Sequence, residues 1–348
     1  MSTKKIILVG CGGMSAAWIT PILKDPELEI VGLVDLDPKA PEKVKESFEL
    51  NCQTSTSQDD LMAELNPDIV IDVTVPQAHV HVGLKALNAG CHLWSEKPMA
   101  ASMDEARSLV KASKDSGKLH AVMQNRRYLS STCHFKHLID QGLIGSPTTW
   151  NLDFYMGIHF SDPSHKATRD FRDSMEHVLL LDMAIHTFDQ VRFVSGKDPV
   201  SVYCHEYNPK GSWYDHDASA QCIFEMEDGS VFNYRGSWCA EGKATSWESE
   251  WKVIGTEGSA HWDGAEGFQV HRADEGQNFR SKSLESDLPK LTALDLEGHR
   301  GWIDDVKNSM NENRLPQTHG EDNIKSLAMV HAAIKSSETG RKVKIEEV

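Results

Sequence analysis

The chain has no apolar run of membrane-spanning length, no surplus of positive charge and no cysteine pattern, and each absence removes a class of protein. Ile6-Ile7-Leu8-Val9 behind Lys4-Lys5 has the outline of a secretory leader, but the run stops at Gly10 and no later one approaches the roughly 20 residues a spanning helix needs. A soluble, cytoplasmic protein with no membrane partner is expected. The 36 Lys and Arg stand against 52 Asp and Glu, a net charge of -16 that repels phosphate backbones and anionic lipid. Nucleic acid is excluded, and small neutral ligands are the expected partners. Seven cysteines, an odd and widely spaced number without Cys-x-x-Cys, read as reduced thiols. The 17 histidines include no His-Glu-x-x-His and no Cys/His cluster at zinc spacing, so no metal site is expected. There is no internal repeat or low-complexity tract, and 348 residues suit about two domains.

What is present begins as strand, glycine turn, helix. Ile6 to Val9 ends in Gly10-Cys11-Gly12-Gly13-Met14-Ser15, and Ala16-Ala17-Trp18-Ile19 continues at helical spacing. Gly10 permits a tight turn, and Gly12 permits close approach of a pyrophosphate that the helix N-terminus stabilises. Ser15 occupies the third position of the fingerprint, small enough for close packing. The next strand, Ile30 to Val34, ends at Asp35, 25 residues after Gly10 and 20 after Ser15. An acidic residue there accepts hydrogen bonds from the adenosine ribose and repels the 2'-phosphate of NADP. With Asp37 adding charge and no arginine beside them, NAD is the expected cofactor in preference to NADP.

The alternation continues through Asp68 to Val73, Thr74-Val75-Pro76-Gln77-Ala78-His79, a helix from His81 to Ala89, and the strand Cys91 to Trp94. That strand delivers Ser95-Glu96-Lys97-Pro98, an ionisable pair and a rigid proline at the carboxyl end, the edge where ligands bind in an open parallel sheet. Ser102-Met103-Asp104-Glu105 is a capping box opening a helix to Ser116, and Leu119 to Met123 is a further strand. Such alternation predicts a doubly wound parallel sheet, an α/β dinucleotide-binding domain over residues 1-123. Beyond Gln124-Asn125-Arg126-Arg127-Tyr128 strand-like runs dominate: 148-156, 200-207, 218-226, 231-238, 247-254 and 259-262, with Asp228-Gly229 as a hairpin turn. They predict an α+β second domain over 124-348 with a large, mostly antiparallel sheet, and a C-terminal helix that can pack back near the first domain.

Within that part, residues 176-195 read as one buried helix. Asp182, His186 and Asp189 form its polar stripe, and Asp182 and His186, four apart, share a face. A carboxylate near an imidazole suits a general acid/base near neutral pH, although from the helix alone a core Asp-His pair satisfying its own hydrogen bonds is the stronger reading. Tyr155, His159 and His299 are possible hydroxyl contacts, and the nine tryptophans could offer stacking faces to a sugar ring.

The glycine turn, Asp35, Thr74 to His79, Glu96-Lys97-Pro98, Asn125-Arg126-Arg127 and Asp182-Met183-Ala184-Ile185-His186, in this order, resemble the glucose-fructose oxidoreductase and inositol dehydrogenase family (Gfo/Idh/MocA) over nearly the whole chain. The resemblance implies a Rossmann domain, a C-terminal domain with an open, mainly antiparallel sheet, a homo-oligomer (dimer or tetramer), and NAD(P)-dependent oxidation or reduction at a hydroxyl or ketone of a sugar or polyol. It implies substrate-pocket roles for Lys97, Asp182 and His186, with His186 as acid/base and Lys97 stabilising the alkoxide. Gly10, Gly12, Gly13, Met14, Asp35, Thr74, His79, Glu96, Lys97 and Arg126 are the expected cofactor contacts. Two departures stand out: Arg172-Asp173-Ser174-Met175-Glu176-His177 replaces a segment the family often makes glycine-rich, and Val75 stands where proline is usual. An NAD-dependent glycosidase with a transient redox step and a dinucleotide-sensing regulator without chemistry are the other readings of the same motifs.

Overall fold

The computed structural model describes residues 3-160, 170-274 and 282-348. Two compact units emerge: residues 1-128 with 295-327, and residues 129-294 with 328-348.

In the first unit, short β-branched runs become strands and the helical repeats between them become crossovers. The elements are β1 (Lys4–Val9), α1 (Ser15–Ile22), β2 (Leu28–Val34), α2 (Lys39–Ser47), β3 (Gln53–Ser55), α3 (Gln58–Leu65), β4 (Ile69–Asp72), α4 (Pro76–Asn88), β5 (His92–Ser95), α5 (Met103–Ser116) and β6 (His120–Val122). All six strands pair in parallel in the order β3-β2-β1-β4-β5-β6. That order reverses direction at β1/β4, the switch point at which doubly wound sheets open a crevice for dinucleotides. Local signals set the helix ends: Pro76 opens α4, the Ser102 hydroxyl accepts from the Glu105 amide at the start of α5, and Gly117 closes α5 at a φ of 65°.

A helix from late in the chain, α8 (Gly298–Glu312), belongs to this unit. Its Trp302, Ile303 and Val306 share one buried cluster with Ile6, Leu8, Trp18 and Trp94. Trp302 stands edge-on to Trp18 at 5.3 Å and to Trp94 at 5.6 Å. Its indole N–H donates to Val122 O and Thr318 Oγ1, which removes the cost of burying it. Arg127 and Tyr128 fasten the same segment, through Gln317 O and Asp322 and through Asp305 respectively.

The second unit is built on one sheet of nine strands. Chain order runs α6 (Ser130–Asp140), β7 (Pro147–Tyr155), a π-helical turn Leu179–Ala184, α7 (Ile185–Ser195), β8 (Pro199–Tyr207), β9 (Ser219–Met226), β10 (Val231–Ser237), β11 (Glu250–Gly255), β12 (Gly258–Trp262), β13 (Phe268–Ala273), β14 (Ser283–Glu285) and, after α9 (Gly320–Thr339), β15 (Val343–Lys344). The sheet order is β14-β13-β12-β11-β7-β10-β9-β8-β15, antiparallel throughout except for the parallel pair β7/β10. Alternation decides its faces: Trp150, Leu152 and Phe154 are buried, whereas Asn151, Asp153 and Tyr155 on the other face are not. Phe188 of α7 packs on Phe224, Phe232 and Tyr234 at 5.0 to 5.9 Å, so α7 covers the buried face. The hairpin at Asp228-Gly229 forms as expected, with Gly229 at a φ of 82°.

Helix α9 is shared, its residues up to Leu327 counting with the first unit and those from Ala328 with the second.

Candidate active site

At the carboxyl end of β1, Gly10 has a φ of 97°, and a Cβ there would lie 2.6 Å from the Val73 carbonyl carbon and oxygen. No other residue type fits that turn. Gly12 and Gly13 face open space instead, with nothing within 4 Å of where a Cβ would stand. The amides of Gly12, Gly13 and Met14 enter none of the hydrogen bonds seen among the described residues. Ser15 is buried and its hydroxyl donates back to Gly12 O at 2.7 Å, bracing the loop against the start of α1. An open backbone with unspent N–H groups at a helix N-terminus fits the pyrophosphate of a dinucleotide.

Asp35 ends β2, and its Oδ2 accepts the Cys11 amide at 2.8 Å while Oδ1 accepts the Asp37 amide at 3.0 Å. Each carboxylate oxygen keeps a lone pair for a ribose hydroxyl. Burial pushes the neighbouring Cys11 thiol up to about 12, and the Asp35 charge adds to that. Cys11 therefore stays a neutral packing group with its Sγ toward Val34 O.

Thr74 and His79 form a lock at the end of β4. The buried Asp72 Oδ1 accepts from the Thr74 amide and hydroxyl at 3.0 and 2.6 Å. Burial pushes the Asp72 carboxyl above its ordinary range, opposed by His79 4.0 Å away. His79 is 1% exposed, with Nδ1 at 2.8 Å from Pro98 O and Nε2 at 3.0 Å from Thr74 O. Both ring nitrogens thus face backbone carbonyls, and the ring bridges the β4 loop and the turn after β5.

That turn carries Glu96, Lys97 and Pro98, with a cis Lys97-Pro98 bond. Glu96 is buried: its Oε1 accepts the Trp18 indole N–H at 2.7 Å and its Oε2 accepts the Lys97 amide at 3.1 Å. Lys97 beside it is half-buried. His299, on α8, stands edge-on to Trp18 at 6.3 Å; burial lowers its pKa and Glu96 opposes that shift. His299 thus belongs with the Glu96 turn in the first unit. Arg126 is buried in the 3-10 turn after β6. Trp18 is the residue sequence reasoning missed; the available signal was an indole on the core-facing side of a helix, which needs an acceptor inside.

In the second unit, Asp182 lies in the π-helical turn and His186, 9% exposed, in the first turn of α7. The expected single α-helix over 176-195 is therefore two elements, and π-bulges are frequent at functional positions. Asp182 Oδ2 accepts from Arg172 Nε at 2.9 Å. Asp189 is buried one turn beyond His186. Ahead of this helix, His177 at a φ of 52° bonds through Nδ1 to the buried Glu206 at 2.8 Å. Tyr155 lies on the sheet face opposite α7, so the register separates it from His186. His159 is stacked 3.7 Å from Trp213, with Nε2 3.1 Å from Glu241. No group of three or more His, Cys, Asp or Glu side chains could hold a metal among the described residues, and no helix there is long and apolar enough to cross a membrane.

A parallel sheet in 3-2-1-4-5-6 order with an open glycine loop at its switch point defines a Rossmann dinucleotide-binding protein. The family model described as the oxidoreductase family with an NAD-binding Rossmann fold matches residues 4–124, and that of the GFO/IDH/MocA C-terminal domain matches residues 133–261. The chain belongs to the Gfo/Idh/MocA oxidoreductase family. It is similar to a 1,5-anhydro-D-fructose reductase of Ensifer adhaerens, 22% identical with 97% of this chain and 98% of the relative covered. A myo-inositol 2-dehydrogenase of Thermotoga maritima is 25% identical over 83% of each chain. Among solved structures, an oxidoreductase from Agrobacterium radiobacter in complex with NAD+, L-tartaric acid and magnesium shares the fold at a TM-score of 0.83, 20% identity and 99% coverage of both chains.

Proposed function

We propose that this protein is an NAD-dependent dehydrogenase that transfers a hydride between the nicotinamide and a secondary hydroxyl or ketone of a sugar, sugar derivative or cyclitol. The observation that carries the reading is the glycine loop, open and with free amides, pinned by Cys11 to the Asp35 carboxylate. Bound dinucleotide supplies hydride acceptance and donation. Gly12, Gly13 and Met14 hold its pyrophosphate, and Asp35 holds the adenosine ribose and disfavours a 2'-phosphate.

The chain's own groups then handle the proton. His186 takes the hydroxyl proton in oxidation and returns it in reduction, and Asp182 orients ring or substrate. In the first unit Lys97 is a cation suited to stabilise an alkoxide, with Glu96 fixing the Lys97 backbone from behind. Tyr155, on the sheet face opposite α7, and His299, beside Glu96 in the first unit, take no part in this proton transfer. The reductase and dehydrogenase relatives support the reaction class.

The test is NADH absorbance with purified protein, NAD or NADP, and a panel of monosaccharides, glycosides and inositols. A rise with NAD that Lys97→Ala reduces by about 100-fold or more is expected. A rise with NADP alone overturns the Asp35 reading, and NAD binding without turnover of any polyol overturns the dehydrogenase.

A further inference from the structure

Arg172 stands in the segment that departs from the family's glycine-rich pattern, and the fold gives it an unusual number of anchors. It sits on a 3-10 turn, Phe171–Ser174, locked by a reciprocal capping box: the Asp170 side chain accepts from the turn, and the Asp173 side chain accepts the Asp170 amide. Its Nε donates to Asp182 Oδ2 at 2.9 Å and its Nη1 to Asp170 Oδ1 at 3.3 Å. The guanidinium carbon lies 4.7 Å from the Phe160 ring centroid and 4.4 Å from that of Phe171. The arginine and Asp182 side chains are 23% and 15% exposed, so solvent screens their attraction less than at an open surface. Asp182 pushes the Arg172 guanidinium above its ordinary value against the effect of burial, and by reciprocity the guanidinium favours the ionised form of Asp182.

We propose that Arg172 is a positioning residue, a cation that helps hold Asp182 charged and fixed in direction on the π-helical turn. The inference rests on the reading that Asp182 serves the substrate. The carboxyls of Asp170 and Asp173 lie on the arginine's own turn, and among the described residues the Tyr214 phenol, which burial pushes up and the Asp173 and Asp182 charges push further, also senses Asp182. His186 follows one turn along the helix. Asp170 and Asp182 both bond to Arg172, so its loss leaves two carboxylates near one another, and the protonated form of Asp182 gains. A planar fork with aromatic faces on it also fixes the angle of the bond, which a flexible ammonium does not.

The experiment is a carbon NMR titration of full-length protein labelled at aspartate side-chain carboxyls, with the Asp182 resonance identified by its absence in Asp182→Asn. Arg172→Gln is expected to raise the Asp182 midpoint by about one pH unit or more, and Arg172→Lys to recover part of the shift. The Tm should stay within about 3 °C of wild type and reports that the variants are folded, and the dinucleotide dissociation constant, a property of the first unit, should stay within about twofold. Should Arg172→Gln fail that control, Arg172→Lys carries the comparison. An unmoved midpoint overturns the pairing. In turnover, the acid limb of the kcat/KM profile should move up with the midpoint; a moved midpoint with an unmoved limb overturns positioning. Wild-type protein that turns over no polyol refutes the dehydrogenase reading, while the titration still decides whether Arg172 holds Asp182.

Discussion

The Trp18 indole N–H donates to Glu96 Oε1 at 2.7 Å, so a residue of the helix behind the glycine loop holds the carboxylate that in turn accepts the Lys97 amide. Trp18 has no exposed surface and Glu96 only 7%. Trp18→Phe keeps most of the ring and removes the donor. A buried carboxylate losing a neutral donor costs about 1–3 kcal/mol, which thermal unfolding should show as a lower Tm. Turnover should fall more than dinucleotide affinity, because the Lys97 backbone loosens while the Gly12–Met14 amides stay; equal loss of both would refute this chain of support.

Two glycines of one loop should behave in opposite ways. Gly10→Ala puts a Cβ 2.6 Å from the Val73 backbone at a φ of 97° and should cost about 2–4 kcal/mol of stability. Gly12→Ala meets nothing and should leave stability within about 0.5 kcal/mol while weakening NAD binding about tenfold or more. Chemical denaturation beside titration of NADH fluorescence separates the two effects.

Asp35→Ala removes both the expected ribose contact and the acceptor of the Cys11 amide. Affinity for NAD should fall about tenfold, with NADP unchanged or improved, so that the ratio of the two narrows. Isothermal titration with both nucleotides measures it, and a parallel fall for NADP and NAD would confine Asp35 to bracing the loop.

His177 and Glu206 make stability depend on pH. The hydrogen bond to Glu206 raises the His177 pKa despite partial burial, and burial raises that of Glu206. Both shifts mean that the folded state binds more protons than the unfolded one, so both lower stability as pH rises. The histidine's contribution is complete below its unfolded pKa of about 6.5 and is lost as pH climbs through the higher folded value. Wild-type protein should therefore lose more Tm between about pH 6 and pH 9 than His177→Gln does, by the equivalent of about 1 kcal/mol. Parallel slopes for the two proteins would show that the pair carries no charge.

The parallel sheet was legible because buried parallel strands and amphipathic crossovers leave unmistakable periods, and Gly10, Asp35 and Glu96-Lys97-Pro98 fall at strand ends where the sheet opens. The hairpin at Asp228-Gly229 was legible for a similar local reason. The π-helical turn was not: apolar residues make up most of 178-191 and wrap more than one face, so no phase marks where α-helical winding relaxes. Nor could the sequence show that Asp182 is bonded to Arg172, ten positions earlier and across a loop. His299 and Trp302 offered a helix with a buried stripe but no indication of which sheet it covers. Tyr155 could be placed on a strand, yet its face followed only from knowing which side α7 takes.

Because Trp302 fills space between Trp18 and Trp94 and donates to Val122 O, the dinucleotide unit depends on a side chain that leaves the ribosome 180 residues after the end of β6. Until then two large indoles of the nascent sheet lack their neighbour. Folding of that unit during synthesis has to wait, or to proceed through a form that exposes them to chaperones. By the same token the unit cannot be excised at one cut or exchanged between relatives as one stretch: the strands and α8 have to travel together.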